Sequence, residues 1–268
     1  MGEANQIVYG LARSAAVMDV RLVMKERLDQ AVVSRGLAPS RARARDLIQR
    51  GFVSLDGAAC VKPSTGVTPG HIVRLSIEAP TYVSRGAEKL LSALDAFAFD
   101  PARRIALDIG ASTGGFTQVL LERGAARVYA VDVGHGQLRS AVSDDRRVVA
   151  LEGTDARALD HQLIPGPISA IVADVSFISL VKALPAALAL AAPKAWLIAL
   201  IKPQFEAGPD HVGRGGIVRD AAVQQHVVAE IEAWVSARSG WTTQGVVPSP
   251  ILGGSGNKEF LIGATYRG

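Results

Sequence analysis

The stretch that most constrains the fold of this chain is IALDIGASTGGFTQVLLERGA, residues 105–125. An apolar run ends at Asp108, a glycine-rich turn follows, and Phe116, Val119 and Leu120 then repeat at helical spacing. A buried strand that passes through a glycine-rich turn into a helix is the first unit of a doubly wound sheet, and a ligand binds at the turn. The segment therefore predicts an α/β fold with a binding site at this turn.

The chain beyond residue 104 continues the alternation of strands and helices. Amphipathic helices are predicted at Phe116 to Arg123 and at Ala221 to Arg238. Apolar runs predict five strands, which are Ile105 to Ile109, Val128 to Val133, Ala170 to Val175, Trp196 to Ile201 and Glu259 to Tyr266. Because such alternation produces a mostly parallel sheet with helices on both faces, we expect an α/β, doubly wound, Rossmann-like domain.

Composition limits the remaining possibilities. With 268 residues, 49% hydrophobic and 20% charged, the chain can form one large domain and a small one. Its apolar runs are far shorter than the ~18 residues of a membrane span, so no membrane partner is expected. The single cysteine, Cys60, excludes an internal disulfide and fits a reducing, cytoplasmic compartment. No metal site is expected, because no ligand spacing links Cys60 to His71, His135, His161, His211 or His226.

The positive charge is concentrated near the N-terminus. The formal net charge is +4, and the whole excess lies within residues 1–80. Five arginines fall within sixteen residues of this segment, opposed there only by Asp46. This pattern predicts a polyanionic partner, and the alternative is a solvated helix face, which normally mixes both signs. The arginines expected to bind RNA are Arg35, Arg41, Arg43, Arg45 and Arg50.

The same segment carries the signals of a small folded domain. One helix is predicted from Val20 to Arg35, and Ser40 caps a second one from Arg41 to Gln49. The turn Asp56-Gly57 then joins two short strands. The expected organisation is a leader over residues 1–19, a small α+β domain over 20–80, a linker and first helix over 81–103, and the large domain over 104–268.

The glycine pattern of the turn argues against two common nucleotide sites. A dinucleotide fingerprint needs glycine where Ser112 stands, and a triphosphate loop needs Lys-Ser or Lys-Thr after Gly115. S-adenosylmethionine fits better, since Asp132 closes the next strand, where a carboxylate binds ribose hydroxyls. Asp155 follows one strand later and either contacts the adenine amino group or caps a turn. The expected cofactor-binding residues are Asp108, Gly110, Ser112, Thr113, Gly114, Gly115, Phe116, Asp132 and Asp155.

Six ordered motifs carry a resemblance to a known family: YVSRGAEKL (82–90), LDIGASTGGFTQVLLERGA (107–125), DVGHGQL (132–138), VADVSFISL (172–180), IKPQFEAG (201–208) and GGSGNKEF (253–260). SRARARDLIQRGFVSLDG in the basic segment resembles an S4 RNA-binding domain. From about residue 20 to the C-terminus, the chain resembles the TlyA family, also called hemolysin A. The resemblance implies an FtsJ-like methyltransferase that methylates cytidine ribose 2′-hydroxyls of 16S and/or 23S ribosomal RNA, with ribosomal RNA and subunits as partners.

Charged residues at predicted strand ends suggest the chemistry. Asp174 and Lys202 follow apolar runs that predict neighbouring parallel strands, whose carboxyl ends form the ligand crevice. Methyl transfer to a ribose hydroxyl needs a group that accepts the proton or stabilises the oxyanion, and Lys202 beside Asp174 fits this need. The resemblance implies a catalytic tetrad that falls on Lys89, Asp174, Lys202 and Glu259. Without the resemblance, structural ion pairs would be the commoner role for such residues.

Other features leave alternatives open. Phe177 fits the buried core better than stacking on a target base, whereas Phe205 fits both roles equally. Residues 206–220 predict either a loop that closes on substrate or an ordinary solvent loop, and Asn257 fits a simple turn.

Three functions are alternatives to ribose methylation. A non-catalytic RNA-binding or ribosome-assembly factor is disfavoured by the intact tetrad. A pore-forming hemolysin is disfavoured because the chain has no spanning segment. Base methylation is disfavoured because DVSF, residues 174–177, stands where amino methyltransferases carry an Asn/Asp-Pro-Pro-aromatic motif.

Overall fold

A computed structural model describes residues 25–79 and 81–268 of the chain. The chain divides into two compact units, Met1–Pro80 and Thr81–Gly268. Each unit has a buried apolar core of its own. The predicted leader over residues 1–19 and the start of the helix predicted from Val20 lie outside the described residues.

The small unit packs two helices against short strands. Ser40 caps the second helix, as predicted, by accepting a hydrogen bond from the Arg43 N–H at 3.3 Å. The first helix begins at Leu28, because Glu26 and Arg27 are extended and pair with a later strand. The elements are β1 (Glu26–Arg27), α1 (Leu28–Ser34), α2 (Arg41–Gln49), β2 (Val53–Leu55), β3 (Ala58–Ala59), β4 (Gly66–Val67) and β5 (Val73–Leu75).

A buried carboxylate holds the two helices of the small unit together. Asp29 in α1 is fully buried, and it accepts hydrogen bonds from Arg27 at 2.9 Å, Arg41 at 3.1 Å and Arg45 at 2.9 Å. The helix α1 thus adds a carboxylate from outside the sixteen-residue span in which Asp46 is the only acidic residue. Burial alone would raise the pKa of Asp29, but the bonds from the guanidinium groups outweigh it and hold the pKa far below its usual range.

The large unit is built on one seven-stranded sheet. Its strands are β6 (Ile105–Ile109), β7 (Arg127–Asp132), β8 (Val148–Glu152), β9 (Ile168–Ala173), β10 (Ala191–Ile201), β11 (Trp241–Pro248) and β12 (Phe260–Tyr266). The strand order is β11-β12-β10-β9-β6-β7-β8. The five strands from β10 to β8 are parallel, whereas β12 is antiparallel to both of its neighbours. The predicted doubly wound α/β fold is thereby confirmed.

Helices cover both faces of this sheet. They are α3 (Gly86–Phe97), α4 (Gly115–Glu122), α5 (Ser140–Ser143), α6 (Leu180–Ala183), α7 (Pro185–Ala189), α8 (Pro203–Glu206) and α9 (Ala221–Ser236), with 3-10 turns at Ala156–Ala158 and Pro209–His211. One apolar cluster joins α3 and α4 to the sheet, and a second joins α6, α7 and α9 to it. Because both faces are covered, the central strands are apolar on both sides, which made them predictable from sequence.

Two strands were missed or misplaced by the sequence patterns. The strand β11 has the sequence WTTQGVVP and is mostly half-buried, so its apolar signal is weak. The strand β8 ends at Glu152, three residues before Asp155, because the chain turns at Gly153 with a positive φ. Asp155 therefore starts the next turn and does not end the strand.

Replacement of Asp29 tests the role of the buried carboxylate. Asp29→Asn should lower the free energy of unfolding by roughly 1–3 kcal/mol at pH 7, because charge-assisted bonds are lost. Urea unfolding of the full chain measures this, with Glu78→Gln, an exposed site in the same unit, as control. Since the folded pKa of Asp29 lies below its unfolded value of about 3.9, the difference should persist above pH 4 and shrink as the pH falls further. An equal loss in both variants would contradict the assignment.

Candidate active site

The carboxyl ends of the parallel strands of the large unit form a crevice, as expected for a doubly wound sheet. The turn after β6 passes close beneath the end of β9. Gly110 has a φ of +79°, and a Cβ there would lie 2.5 Å from the Asp174 carbonyl oxygen. The turn can take this path only with glycine, which places its backbone directly beside the residues at the end of β9.

Two adjoining cavities occupy the crevice. The first, of about 280 Å³, is lined by Ser84, Arg85, Gly86, Lys89, Gly110, Ala111, Ser112, Thr113, Gly115, Phe116, Asp174, Ser176 and Lys202. The second, of about 400 Å³, continues past Asp132, Val133, Gln137, Asp155, Phe177 and Ile178. Gly110, Ser112, Asp174 and Ser176 line both, so the two cavities form one elongated space. Its combined size suits a small organic ligand.

Asp132 stands between the turn and the second cavity. Its carboxylate accepts hydrogen bonds from the N–H groups of Ser112 and Gly134, both at 2.8 Å. A carboxylate has about four acceptor positions, so these two bonds fix its orientation and leave capacity for hydroxyl donors. The geometry places a fixed acceptor where the sequence predicted one.

Asp155 also lines the second cavity, but its carboxylate is engaged within its own turn. It caps that turn by accepting from the Arg157 N–H at 2.9 Å, and the Arg157 side chain bonds both of its oxygens. These bonds from Arg157 lower the pKa of Asp155 to about 2. Of the two roles considered for Asp155, the structure displays the turn cap.

Asp108 and Gly114 lie outside the lining of both cavities. Asp108 is fully buried beneath the turn, where its Oδ2 accepts a 2.6 Å hydrogen bond from the Thr117 hydroxyl. Burial raises the pKa of Asp108 to about 7. A Cβ on Gly114 would meet Leu138 and Val142, at 2.9 and 3.1 Å. Both residues therefore shape the turn from below, and their contact with a cofactor stays a prediction.

Four charged side chains form two ion pairs at the first cavity. The Lys202 ammonium lies 2.6 Å from Asp174 Oδ1 and donates a 2.9 Å hydrogen bond to Ser176 Oγ. The Lys89 ammonium contacts Glu259 Oε2 at 2.6 Å. Both lysines are only 8% exposed. Desolvated ammonium groups need such partners, so each carboxylate stabilises a cation beside the cavity.

Glu259 occupies a different place from its three companions. Lys89, Asp174 and Lys202 line the first cavity, whereas Glu259 lies behind Lys89 and lines a separate cavity near β11 and β12. Its second oxygen, Oε1, accepts a 3.4 Å hydrogen bond from Gln204. The four residues predicted as a tetrad are thus close together. Three of them line the first cavity, and Glu259 contacts Lys89 from outside that cavity. Ser176 and Gln204 were not predicted, since neither belongs to a charge pattern.

Phe177 is at the surface and not in the core. Its side chain is 91% exposed, and its backbone has a φ of +64°. The ring lies 5.0 Å from that of Phe205, and the Lys202 ammonium is 5.8 Å from the Phe205 centroid. The interpretation of Phe177 as a core residue is therefore wrong. Its sequence signal was ambiguous, because an aromatic residue after a buried strand is usually buried as well.

Buried amide groups anchor the glycine-rich segment 206–220. Asn257 is almost fully buried, accepts from the Val218 N–H at 2.9 Å and donates to the Gly216 carbonyl at 2.8 Å. Gln224 donates to the Val218 carbonyl at 2.7 Å. Asn257 is therefore more than a turn residue, because it ties this segment to the chain just before Glu259.

The predicted RNA-binding arginines of the small unit differ in how far their side chains are exposed and in the contacts they make within the unit. Arg43 is only 6% exposed and pairs with Asp46 at 2.9 Å, so the expectation that it binds RNA is not supported by its burial. Arg35 donates to the carbonyls of His71 and Thr68, and Arg50 lies 5.1 Å from the centre of the Phe52 ring. The side chains of Arg41 and Arg45 are 48% and 50% exposed.

Residues 25–79 and 81–268 contain no group of three His, Cys, Asp or Glu side chains placed to hold a metal ion. Over the same residues, no helix has both the length and the apolar character that crossing a membrane requires.

Comparison with known proteins places this crevice in a family. Residues 82–266 match the FtsJ-like methyltransferase family, and residues 26–73 match the S4 domain. The 16S/23S rRNA (cytidine-2′-O)-methyltransferase TlyA of Mycobacterium tuberculosis is 46% identical over 242 residues, which are 90% of each chain. Hemolysin A of Brachyspira hyodysenteriae is 38% identical over 236 residues, covering 88% of this chain and 98% of that one.

A solved structure agrees with these sequence matches. A Streptococcus thermophilus protein described as a hemolysin is 38% identical, covers 91% of this chain and 90% of its own, and has a TM-score of 0.71. The two family matches, over residues 82–266 and 26–73, include the glycine turn, both ion pairs and most of the small basic unit. The chain therefore belongs to the TlyA family of S4-domain, FtsJ-like methyltransferases.

Proposed function

We propose that this protein is an S-adenosylmethionine-dependent methyltransferase of cytidine 2′-hydroxyls in 16S and/or 23S ribosomal RNA, working on ribosomal subunits in the cytoplasm. The observation that carries the proposal is the buried Lys202 ammonium, held by Asp174 and Ser176 at the wall of the first cavity. Support comes from the M. tuberculosis relative, whose name describes this reaction.

The residues of the crevice suit S-adenosylmethionine. When bound, this cofactor supplies the methyl group. The Asp132 carboxylate is fixed by two backbone N–H groups and retains capacity for the two ribose hydroxyls. Val133 and Ile178 offer apolar surface to an adenine ring in the second cavity. The glycine turn, with Gly110 and Ser112 lining both cavities, leaves space for the methionine portion to extend towards Lys202.

Lys202 is the residue that we assign to stabilising the 2′-oxygen during methyl transfer. Methylation of the 2′-hydroxyl oxygen releases its proton, which passes to solvent, and the negative charge that develops on the oxygen needs a stabilising group. The Lys202 ammonium is positioned for this by Asp174 and Ser176, and it lines the cavity that the ribose would enter. Since it is almost fully desolvated, its charge acts more strongly there than it would in water.

Lys89 supplies a second cation at the same cavity. Its ammonium is held from behind by Glu259, so the pair can orient the ribose and a neighbouring phosphate group. Phe177 extends into solvent at the rim of the second cavity, beside Phe205. An exposed aromatic ring in that position is suited to stack on a base that is removed from its helix.

The small unit is assigned to RNA binding. Arg41 and Arg45 present half-exposed guanidinium groups on one helix, and Asp29 holds both in place. Guanidinium groups pair well with phosphate oxygens, and S4 domain matches over residues 26–73 agree with this role.

Cofactor binding can be tested by comparing two aspartates. Asp132→Ala should weaken S-adenosylmethionine binding by roughly 1–3 kcal/mol, because charge-assisted bonds to the ribose are lost. Asp155→Ala should cost less than about 1 kcal/mol, because the Arg157 side chain already occupies that carboxylate. Calorimetry with the full chain measures both. Equal losses in the two variants would contradict the assigned orientation of the cofactor.

RNA binding can be tested by removing the two exposed arginines. The double change Arg41→Ala and Arg45→Ala should weaken rRNA affinity and reduce the salt dependence by up to about two phosphate contacts. The matched control, Arg103→Ala with Arg127→Ala, removes two charges at the amino ends of β6 and β7, opposite the crevice. Filter binding over a range of salt concentrations gives the slope. A slope that changes equally in both pairs would exclude a specific role for α2.

The reaction itself can be tested at Lys202. Lys202→Ala should reduce methyl transfer by at least the ~10²-fold typical of losing a general acid–base group, with little change in cofactor or RNA affinity. Lys202→Arg keeps the charge but does not give up its proton, so recovery of the rate by arginine would identify an electrostatic role. Single-turnover methylation of rRNA measures both variants. Resistance of the neighbouring phosphodiester to alkali should mark the product, and alkali-sensitive product would show base methylation instead.

A further inference from the structure

The loop that carries Phe177 has an unfavourable backbone conformation. Phe177 has a φ of +64°, in the left-handed region that residues with a side chain seldom adopt. Its side chain is 91% exposed, so packing around the ring contributes little to holding this conformation. A strained residue persists only where its surroundings fix the backbone on both sides. The loop between β9 and α6 must therefore be anchored elsewhere.

The anchor on the amino-terminal side comes from Lys202. Its ammonium contacts Asp174 at 2.6 Å and donates to Ser176 at 2.9 Å, and both of these residues precede Phe177. These contacts do not fix the other side of the loop, because in the described part of the chain the Lys202 side chain forms no hydrogen bond or ion pair with residues 177–180.

The anchor on the carboxyl-terminal side comes from Glu206. Its Oε1 accepts a 2.8 Å hydrogen bond from the N–H of Leu180, the first residue of α6. Glu206 is half-buried, which strengthens this bond relative to one in water. The two anchors therefore bracket Phe177 from Asp174 to Leu180.

Both anchors belong to one short and rigid piece of the chain. Lys202 precedes the helix α8, Pro203–Glu206, and the Phe205 N–H donates to the Lys202 carbonyl at 2.9 Å. Pro203 fixes the backbone at the first position of this helical turn. Phe205, between the anchors, places its ring 5.0 Å from that of Phe177. The segment Lys202–Glu206 thus sets the spacing between the reacting lysine and the loop that bears Phe177.

We propose that Glu206 is a positioning residue for methyl transfer, which holds the Phe177 loop at a fixed place relative to Lys202. This inference rests on the proposed function, in which Phe177 stacks on the target base. Glu206 touches neither cavity, so it acts only through the loop. Its loss should leave the Phe177 loop free to adopt unstrained conformations in which the ring no longer faces the base.

A double-mutant cycle separates positioning from general stability. Glu206→Ala should reduce kcat/KM for rRNA at least tenfold in the otherwise unchanged protein, but less than twofold in a Phe177→Ala background, because coupled residues are not additive. Glu206→Gln should recover most of the rate, since its amide oxygen still accepts from the Leu180 N–H. Glu230→Gln, an exposed glutamate of α9, is the control and should retain the full rate.

Hydrogen exchange gives a readout that does not depend on catalysis. In Glu206→Ala, amide exchange should rise in peptides spanning residues 174–180 and stay unchanged in β6 and β7. Unchanged exchange over 174–180, or equal rate losses for Glu206→Ala with and without Phe177, would overturn the inference. Absence of rRNA methylation by the unchanged protein would instead overturn the proposed function. If Glu206→Ala does not fold, Glu206→Asp, whose carboxylate is one methylene shorter, takes its place in both measurements, and additive losses would again overturn the positioning role.

Discussion

A buried ammonium group is stable only beside an anion, and this requirement organises the crevice of the large unit. Lys202 and Lys89 each lie 2.6 Å from a carboxylate, and the two pairs draw together residues from β9, β10, α3 and the start of β12. The glycine turn after β6 then has to pass close to Asp174, which only Gly110 allows. The ion pair at Asp174 and the path of the glycine turn therefore depend on each other, so a change in one disturbs the other.

The sequence predicted the features that depend on local pattern. The central strands were found because they are apolar on both faces, and Asp132, Asp174 and Lys202 were found because strand ends in a parallel sheet share one edge. Features that depend on distant contacts were missed. No residue spacing predicts that Asn257 is buried and hydrogen-bonded to Val218. Nor does any spacing predict that Phe177 is exposed on a loop that is fixed by residues some 25 positions later.

Charge counting in the basic segment shows the same limit. A count treats the five arginines as equivalent, but Asp29 and Asp46 divide them between internal bonds and the surface. The carboxylate of Asp29 does more than neutralise charge, because it fixes the directions of Arg41 and Arg45 before any ligand arrives. Side chains that are already ordered lose less entropy on binding, so the partly paired arginines are better prepared for phosphate than free ones would be.

The position of β12 makes the Lys89–Glu259 ion pair depend on the completion of the sheet. This strand comes last along the described chain, yet it lies between β10 and β11, and β11 joins the sheet only through it. Glu259 immediately precedes β12, and its partner Lys89 lies 170 positions earlier. Until β12 inserts, Lys89 lacks its carboxylate and the sheet lacks two strands. Formation of the Lys89–Glu259 ion pair and completion of the antiparallel edge of the sheet are therefore one step of folding.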